Sequence, residues 1–275
     1  MENIVIKDST LAGFTVEGIL VILLPVLTLV LWKKLIKAPL KPAIVGMIIF
    51  PLFGILLKLI PRYFLLLADN PVSRAINGNV WLYSIIGGGL LAGLFEESGR
   101  FVSFKWILKK YKSNKDAVSY GIGHGGFESA YLGINCFSYL AIGIMVNSGN
   151  AAMLTAGLDA AGTAQTAAIV ETIAATPFYI PAVLGVIERI SAFIFHISLS
   201  VFVFCAAKDK KRLWLFPTAI LLHTALNGAA SALNLAVQLN IFIIEILIFA
   251  YSVTVALFAY KLYKKLENKN FGGNE

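Results

Sequence analysis

Charge is scarce in this sequence. Only 14% of its 275 residues are charged, whereas 58% are hydrophobic. A soluble globular chain carries about 25% charged residues, so this deficit argues against a soluble protein and predicts a polytopic membrane protein. Cysteine is also rare: Cys136 and Cys205 lie far apart within apolar segments, and no CxxC pair occurs. We therefore expect packed thiols and no disulfide framework.

Several catalytic motifs are missing as well. The chain has no HExxH sequence, no Gly-x-Ser sequence and no pair of aspartates within its apolar segments. These absences disfavour an HExxH zinc site, a rhomboid-like serine nucleophile and an aspartate-pair protease. No repeat of fixed period is visible either, so we expect residues 1–275 to form a single integral membrane domain.

Long apolar runs are what the sequence has in abundance. Seven segments each approach the ~20 residues that a helix needs to cross a membrane, which predicts an all-α bundle of about seven transmembrane helices. An interfacial turn or short helix is expected at 61–80, and an outer amphipathic or re-entrant segment at 147–177. The seven apolar segments span residues 12–32, 42–60, 81–107, 117–146, 178–206, 213–236 and 239–260.

The positive charge is distributed unevenly along the chain. Most of the 23 basic residues fall in four clusters, which occur at alternate loops between the apolar segments. By the positive-inside rule these clusters are cytoplasmic, so the N-terminus lies outside and the C-terminus inside. This pattern accounts for the net charge of +8 without a nucleic-acid partner. The clusters lie at residues 33–41, 105–115, 208–212 and 261–269.

Three charged residues interrupt the third apolar segment: Glu96, Glu97 and Arg100. On transfer scales each costs roughly 2.5–3.5 kcal/mol near the bilayer centre, so these charges need partners or water. On a helix Arg100 reaches both glutamates and can neutralise one of them. The remaining carboxylate indicates a functional site.

The only three histidines, His124, His196 and His223, all lie inside apolar segments. Together with Glu96, each lies 9 to 12 residues from the nearest predicted cytoplasmic basic residue. At about 1.5 Å per helical residue, all four lie about 13–18 Å above the inner boundary. Four helices therefore place polar groups at one depth, which predicts a common site.

Helical spacing gives two of these histidines polar neighbours. His124 and Glu128 are four residues apart, as are His223 and Asn227, so each pair shares a helix face. The glycines within residues 121–126 remove side chains around His124 and would allow close approach of another helix, or access for a ligand or substrate backbone.

The third histidine, His196, lies on the helix face of Glu188 and Arg189, seven or eight residues away. We interpret Arg100 and Arg189 as structural counter-ions. Carboxylates such as Glu128 would orient a ligating imidazole. A carboxylate, neutral imidazoles and an amide together can bind zinc, activate water and stabilise an oxyanion, which predicts hydrolysis.

Four motifs carry a resemblance to a known family. They resemble those of the YhfC-like membrane peptidases of bacteria, a group similar to the type II CAAX prenyl endopeptidase and bacteriocin-processing (CPBP) superfamily. The likeness covers roughly residues 81–230. The motifs are Glu96-Glu97-Ser98-Gly99-Arg100, Gly123-His124-Gly125-Gly126-Phe127-Glu128, Glu188-Arg189 with His196, and His223-Thr224-Ala225-Leu226-Asn227.

The resemblance implies an intramembrane peptidase of the bacterial cytoplasmic membrane that depends on a metal or on a glutamate. Glu96 would activate water beside His124, with Glu97 as the alternative base. His223 and Asn227 would be metal ligands or would form the oxyanion hole. The expected zinc ligands are His124, His196 and His223. The expected partners are the lipid bilayer and a peptide or protein substrate, and no oligomeric state is predicted.

Two other classes of function remain as alternatives. A non-catalytic membrane scaffold or immunity-type protein would keep the histidines but lose the glutamates, whereas Glu96 and Glu97 are both present here. A proton or metal transporter would also use intramembrane His and Glu residues. However, its polar groups would form a string across the membrane rather than one layer, and no inverted repeat is visible.

Overall fold

The computed structural model describes residues 4–271, with side chains as far as Lys265. These residues form helices and no strand. Residues 272–275 of the predicted cytoplasmic tail lie outside the described range. The helices are α1 (Asp8–Ile36), α2 (Lys41–Leu67), α3 (Pro71–Asn77), α4 (Val80–Ile107), α5 (Asn114–Asn147), α6 (Ala160–Ala175), α7 (Ile180–Lys208), α8 (Leu215–Leu235) and α9 (Ile241–Phe271).

The described helices confirm the predicted all-α transmembrane fold. Six of them are long and apolar enough to cross a membrane, and α3 and α4 together form a seventh candidate span that bends by 100°. Each of the seven predicted segments corresponds to one long helix, and α4 is the one that carries the acid pair and Arg100. The orientation of the termini stays a prediction.

Helix α2 is longer than predicted. The predicted segment ends at residue 60, directly before Pro61, which lacks a backbone N–H, yet the helix continues to Leu67. Wide π-helical turns lie on either side of this proline, at Phe50–Leu57 and Tyr63–Leu67. They shift the hydrogen-bond register, and a proline fits into such a break. The predicted interfacial segment is therefore reduced to the short helix α3.

The segment at 147–177 forms a single helix, α6, after a short 3₁₀ turn at Ala151–Leu154. The Asp159 side chain caps the helix by accepting from the Gly162 amide at 2.7 Å. The prediction of an amphipathic helix is wrong in one respect. Alanine and threonine are distributed all around α6, so it lacks a separate polar face.

The described chain forms two compact units. The smaller unit comprises residues 4–24 and 129–190, and its core includes Phe14, Val170 and Ile173. The larger unit comprises residues 25–128 and 191–271, and its core includes Phe104 and Leu199. All the predicted site residues except Glu188 and Arg189 belong to the larger unit.

Membrane orientation can be tested by cysteine labelling, because the native Cys136 and Cys205 are both buried. A cysteine at the exposed position Lys110 (Lys110→Cys) should react with a membrane-impermeant thiol reagent only after cells are permeabilised. Arg74→Cys, on the predicted outer side, should react in intact cells. Strong labelling of Lys110→Cys in intact cells would reverse the predicted topology.

Candidate functional site

Helix α4 brings the acid pair close to α2 and α8 through two glycines. A Cβ atom at Gly93 would lie 2.7 Å from Thr224 Oγ1 of α8, and one at Gly99 would lie 2.8 Å from the Phe53 ring of α2. No side chain fits at either position without displacing a neighbour. The glycines therefore set the close approach of α4 to both helices, with the acid pair between them.

Glycines play the same part around His124 on α5. A side chain at Gly123 would overlap the backbone of Ala43 in α2, and a Cβ atom at Gly121 would lie 2.6 Å from Ile197 Cα in α7. The predicted reason for this glycine cluster, close helix approach, is confirmed. It places His124 between α2 and α7.

Glu97 and Arg100 form a buried ion pair. Arg100 Nη1 donates to Glu97 Oε1, and neither side chain has exposed surface. Arg100, which by spacing could reach either glutamate, thus makes its hydrogen bond to Glu97. Each charge depends on the other, since an uncompensated buried charge is strongly destabilising.

His196 lies between Arg100 and Glu128. Arg100 Nη2 is 2.6 Å from His196 Nδ1, and His196 Nε2 pairs with Glu128 Oε2. Because a guanidinium group only donates, His196 Nδ1 must accept, and the ring proton lies on Nε2, facing Glu128. Glu128 therefore contacts the imidazole of His196; the prediction that it orients a metal-ligating imidazole stays a prediction.

His223 contacts the carboxylate of the Glu97–Arg100 ion pair. Its Nδ1 atom lies 2.7 Å from Glu97 Oε1. Because the Glu97 carboxylate accepts, His223 donates from Nδ1, so in a neutral ring the lone pair lies on Nε2. That Nε2 atom lies 4.0 Å from Glu96 Oε2. A carboxylate behind an imidazole in this way is typical of metal-ligating or catalytic histidines.

Glu96 makes a different set of contacts from its neighbour. Its Oε2 atom lies 3.1 Å from His124 Nε2, and its Oε1 atom lies 3.9 Å from Lys58 Nζ. Glu96 packs against Gly54 of α2, where a Cβ atom would be 3.1 Å from its Cγ. Glu96 is thus shared between His124 and a lysine, whereas Glu97 is bound to Arg100.

The site is enclosed by aromatic rings. The edge of Phe50 packs on His124 with ring centroids 5.0 Å apart, and Tyr120 lies on another side at 6.0 Å. The Tyr120 hydroxyl is 3.3 Å from Ser103 Oγ. The ring of His196 is 5.1 Å from that of His124. These walls limit access of water to the cluster, which strengthens the electrostatic interactions inside it.

The arrangement is compatible with a metal ion. Glu96, His124 and His196 are all buried, and they offer ligand atoms that lie within 4.8 Å of one another. Among the described residues, His124 Nδ1 has no hydrogen-bond partner although it is buried. One carboxylate and two imidazoles form a donor set that zinc accepts, so the residues fit the ion. The cluster also contains more carboxylates than lysine and arginine side chains, which favours binding of a cation. The carboxylates are Glu96, Glu97 and Glu128, and the basic side chains are Lys58 and Arg100.

Two predicted supporting residues belong to the smaller unit. Arg189 donates to the carboxylate of its neighbour Glu188, so these two form an ion pair of their own. Their predicted support of His196 stays a prediction.

Asn227 is half-buried on α8, one turn after His223. Its backbone carbonyl packs on Gly88 of α4, where a Cβ atom would lie 3.6 Å from the carbonyl oxygen.

Lys58 is the residue that the sequence analysis missed. It lies outside the four basic clusters, its ammonium group reaches Glu96, and its side chain is only 22% exposed. Its position inside the long apolar span of α2 was the available signal. A lone lysine within such a span has a polar partner by the reasoning that applies to the acid pair.

A helical membrane protein whose spans enclose glutamates, histidines and an arginine falls in the class of intramembrane enzymes or ion-handling proteins. Comparison with known proteins defines the class further. The family model for the YhfC intramembrane metalloprotease matches residues 20–248, so the chain belongs to this family.

A relative in Bacillus subtilis (strain 168) supports the assignment. It is described as the uncharacterized membrane protein YhfC, and it is 31% identical over 226 residues, which cover 82% of this chain and 85% of the relative. No solved structure matches this chain.

Proposed function

We propose that the chain hydrolyses a peptide bond in a membrane-associated substrate, as an intramembrane metalloprotease of the bacterial cytoplasmic membrane. The observation that carries this proposal is the buried contact between Glu96 Oε2 and His124 Nε2, 3.1 Å apart within membrane-spanning helices. A carboxylate in such a place can take a proton from water. Family membership supports a protease over the scaffold and transporter alternatives.

The two glutamates have different parts in this mechanism. Glu97 is bound to both Arg100 and His223, so its negative charge is already used to hold these two side chains. Glu96 contacts His124 and Lys58 and keeps the capacity to accept a proton. We therefore assign Glu96 as the general base and Glu97 as the residue that orients His223.

His124 and His196, together with one carboxylate oxygen of Glu96, would hold a zinc ion, so the second oxygen of Glu96 is left to take the proton; His223 offers its Nε2 lone pair nearby. When bound, zinc supplies Lewis acidity, which activates water and polarises a carbonyl group. His196 has to exchange one present contact to act as a ligand. The exchangeable partner is Glu128, because its side chain is 22% exposed whereas Arg100 is fully buried.

Asn227 is proposed to stabilise the oxyanion that forms when water attacks the peptide carbonyl. Its amide can donate a hydrogen bond, and it lies one turn from His223 on α8. Asn227→Ala should lower the rate of cleavage by about 10²–10³, the typical effect of removing one oxyanion donor. Substrate binding and metal content should stay unchanged. An equal rate for Asn227→Ala and wild type would remove Asn227 from the mechanism.

The proposed function predicts a substrate that accumulates uncut when the protein is absent. Membrane proteins from cells with and without the protein can be compared by mass spectrometry of their peptide termini. Cells that contain the protein should show at least one new terminus within or beside an apolar segment. Identical termini in both membranes, under conditions where the protein is abundant, would favour the scaffold alternative.

A further inference from the structure

A cavity of different chemistry lies between helices α7, α8 and α9 of the larger unit. Its volume is about 450 Å³, within the range of ligand sites. Most of its wall is apolar and includes Leu222, Val255 and Phe258, whereas two lysines, Lys261 and Lys265, also line it. None of these residues belongs to the glutamate–histidine cluster.

The two ends of this cavity differ. Helices α8 and α9 are joined by a short connection, so they run antiparallel, and Trp214, the residue before α8, lies at the same end as Lys261 and Lys265 of α9. Tyr251 lines the other end, ten residues before Lys261. At about 1.5 Å per residue this spacing is about 15 Å, half the thickness of the hydrocarbon core. The cavity therefore has the length of one lipid leaflet.

The polar groups in the wall are already used. The hydroxyl groups of Thr218 and Thr254 donate to carbonyls of their own helices at 2.9 and 2.8 Å, and the Tyr251 hydroxyl donates to Leu222 O at 3.1 Å. An extended peptide in the cavity would leave its backbone N–H and C=O groups without partners, which is costly in a membrane. An alkyl chain has no such groups, so the wall favours a lipid tail.

The charged end selects the kind of lipid. Lys261 and Lys265 are one helical turn apart, so both ammonium groups can reach a single phosphate. Trp214, which is 62% exposed, has the amphipathic ring that is common at the level of lipid headgroups. Basic residues between helices at the cytoplasmic boundary bind anionic headgroups.

We propose that this cavity is a binding site for an anionic phospholipid, with one acyl chain along Leu222, Val255 and Phe258 and the phosphate at Lys261 and Lys265. The lipid comes from the leaflet that the lysine clusters face. Its tail ends at Tyr251. The Tyr251 ring lies 6.1 Å from that of Phe195, which in turn lies 5.7 Å from the ring of His223. Two aromatic rings thus separate the lipid tail from the histidine cluster.

Lipid retention tests this proposal. The wild-type protein is taken from vesicles that contain equal amounts of phosphatidylglycerol and phosphatidylcholine, purified in mild detergent and analysed by native mass spectrometry. We expect one phosphatidylglycerol molecule per chain. Lys261→Gln with Lys265→Gln should lower its retention roughly 25-fold, because each lysine near an anionic headgroup contributes roughly fivefold. The control, Lys33→Gln with Lys34→Gln, removes the same charge elsewhere and should retain the lipid.

A second variant pair tests the apolar part without changing charge. Thr254→Trp fills the cavity from an exposed position and should also lose the lipid, whereas Ile246→Trp, on the same helix but outside the cavity, should not. An excess of inorganic phosphate should not displace the lipid. Equal retention of both phospholipids, retention by the double lysine variant, or displacement by phosphate would each overturn the proposal.

Discussion

Glu96→Gln should abolish peptide cleavage while the protein remains folded. Glutamine keeps the shape of glutamate and can still contact His124, but it cannot take a proton from water. Loss of a general base costs about 10²–10⁴-fold in rate. The comparison of membrane peptide termini, repeated with cells that produce Glu96→Gln, should therefore match that of cells without the protein.

Glu97→Gln is the matched control, since it makes the same chemical change one residue away. It removes the partner of the fully buried Arg100, so we expect a lower melting temperature rather than loss of the base. The folded fraction should retain more activity than Glu96→Gln. If Glu97→Gln is the inactive and stable variant instead, the two glutamates have the opposite roles.

His124→Ala should remove both bound metal and cleavage. His124 lies within the Glu96, His124 and His196 group, and its Nε2 atom contacts Glu96 at 3.1 Å. His223→Ala should abolish cleavage too but lower the metal content less, because His223 lies outside that group of three. Metal content per chain is measured on purified proteins by inductively coupled plasma mass spectrometry.

Controls for the metal measurement come from the chain itself. Glu188→Gln changes a carboxylate of the smaller unit and should keep the wild-type metal content. Removal of metal from the wild type with a chelator should stop cleavage, and added zinc should restore it. Cleavage that persists after complete metal removal would contradict the zinc mechanism and favour water activation by Glu96 alone.

Much of the fold was predictable from the sequence, for a physical reason. A membrane span needs about 20 apolar residues, and charges within a span are costly, so both the helices and the site produce strong signals. Depth counting placed the histidines at one level, and the rings of His196 and His223 lie 5.4 Å apart; that they form one functional site stays a prediction. The bend between α3 and α4 was not predicted.

The pairing of charges was harder to predict, because it depends on how each helix is rotated. Spacing places Arg100 within reach of both Glu96 and Glu97, and only the packing of α4 shows that it bonds to Glu97. Spacing likewise places Glu128 on the same helix face as His124. In the structure, however, Glu128 pairs with His196, which lies on another helix. Lys58 directly follows the π-helical stretch Phe50–Leu57, whose wider turns break the regular α-helical spacing, so α-helical spacing alone does not predict which way its side chain points.

Hydrolysis in isotopically labelled water tests the central claim most directly. Purified protein in liposomes is given the membrane peptide identified in cells, in water enriched in oxygen-18. Hydrolysis places one water oxygen in the new carboxyl terminus, so we predict a labelled product from the wild type and none from Glu96→Gln. Two results would contradict the claim that the protein hydrolyses peptide bonds with Glu96 as the base. One is labelled product at the wild-type rate from both Glu96→Gln and Glu97→Gln, and the other is no product from the metal-loaded wild type.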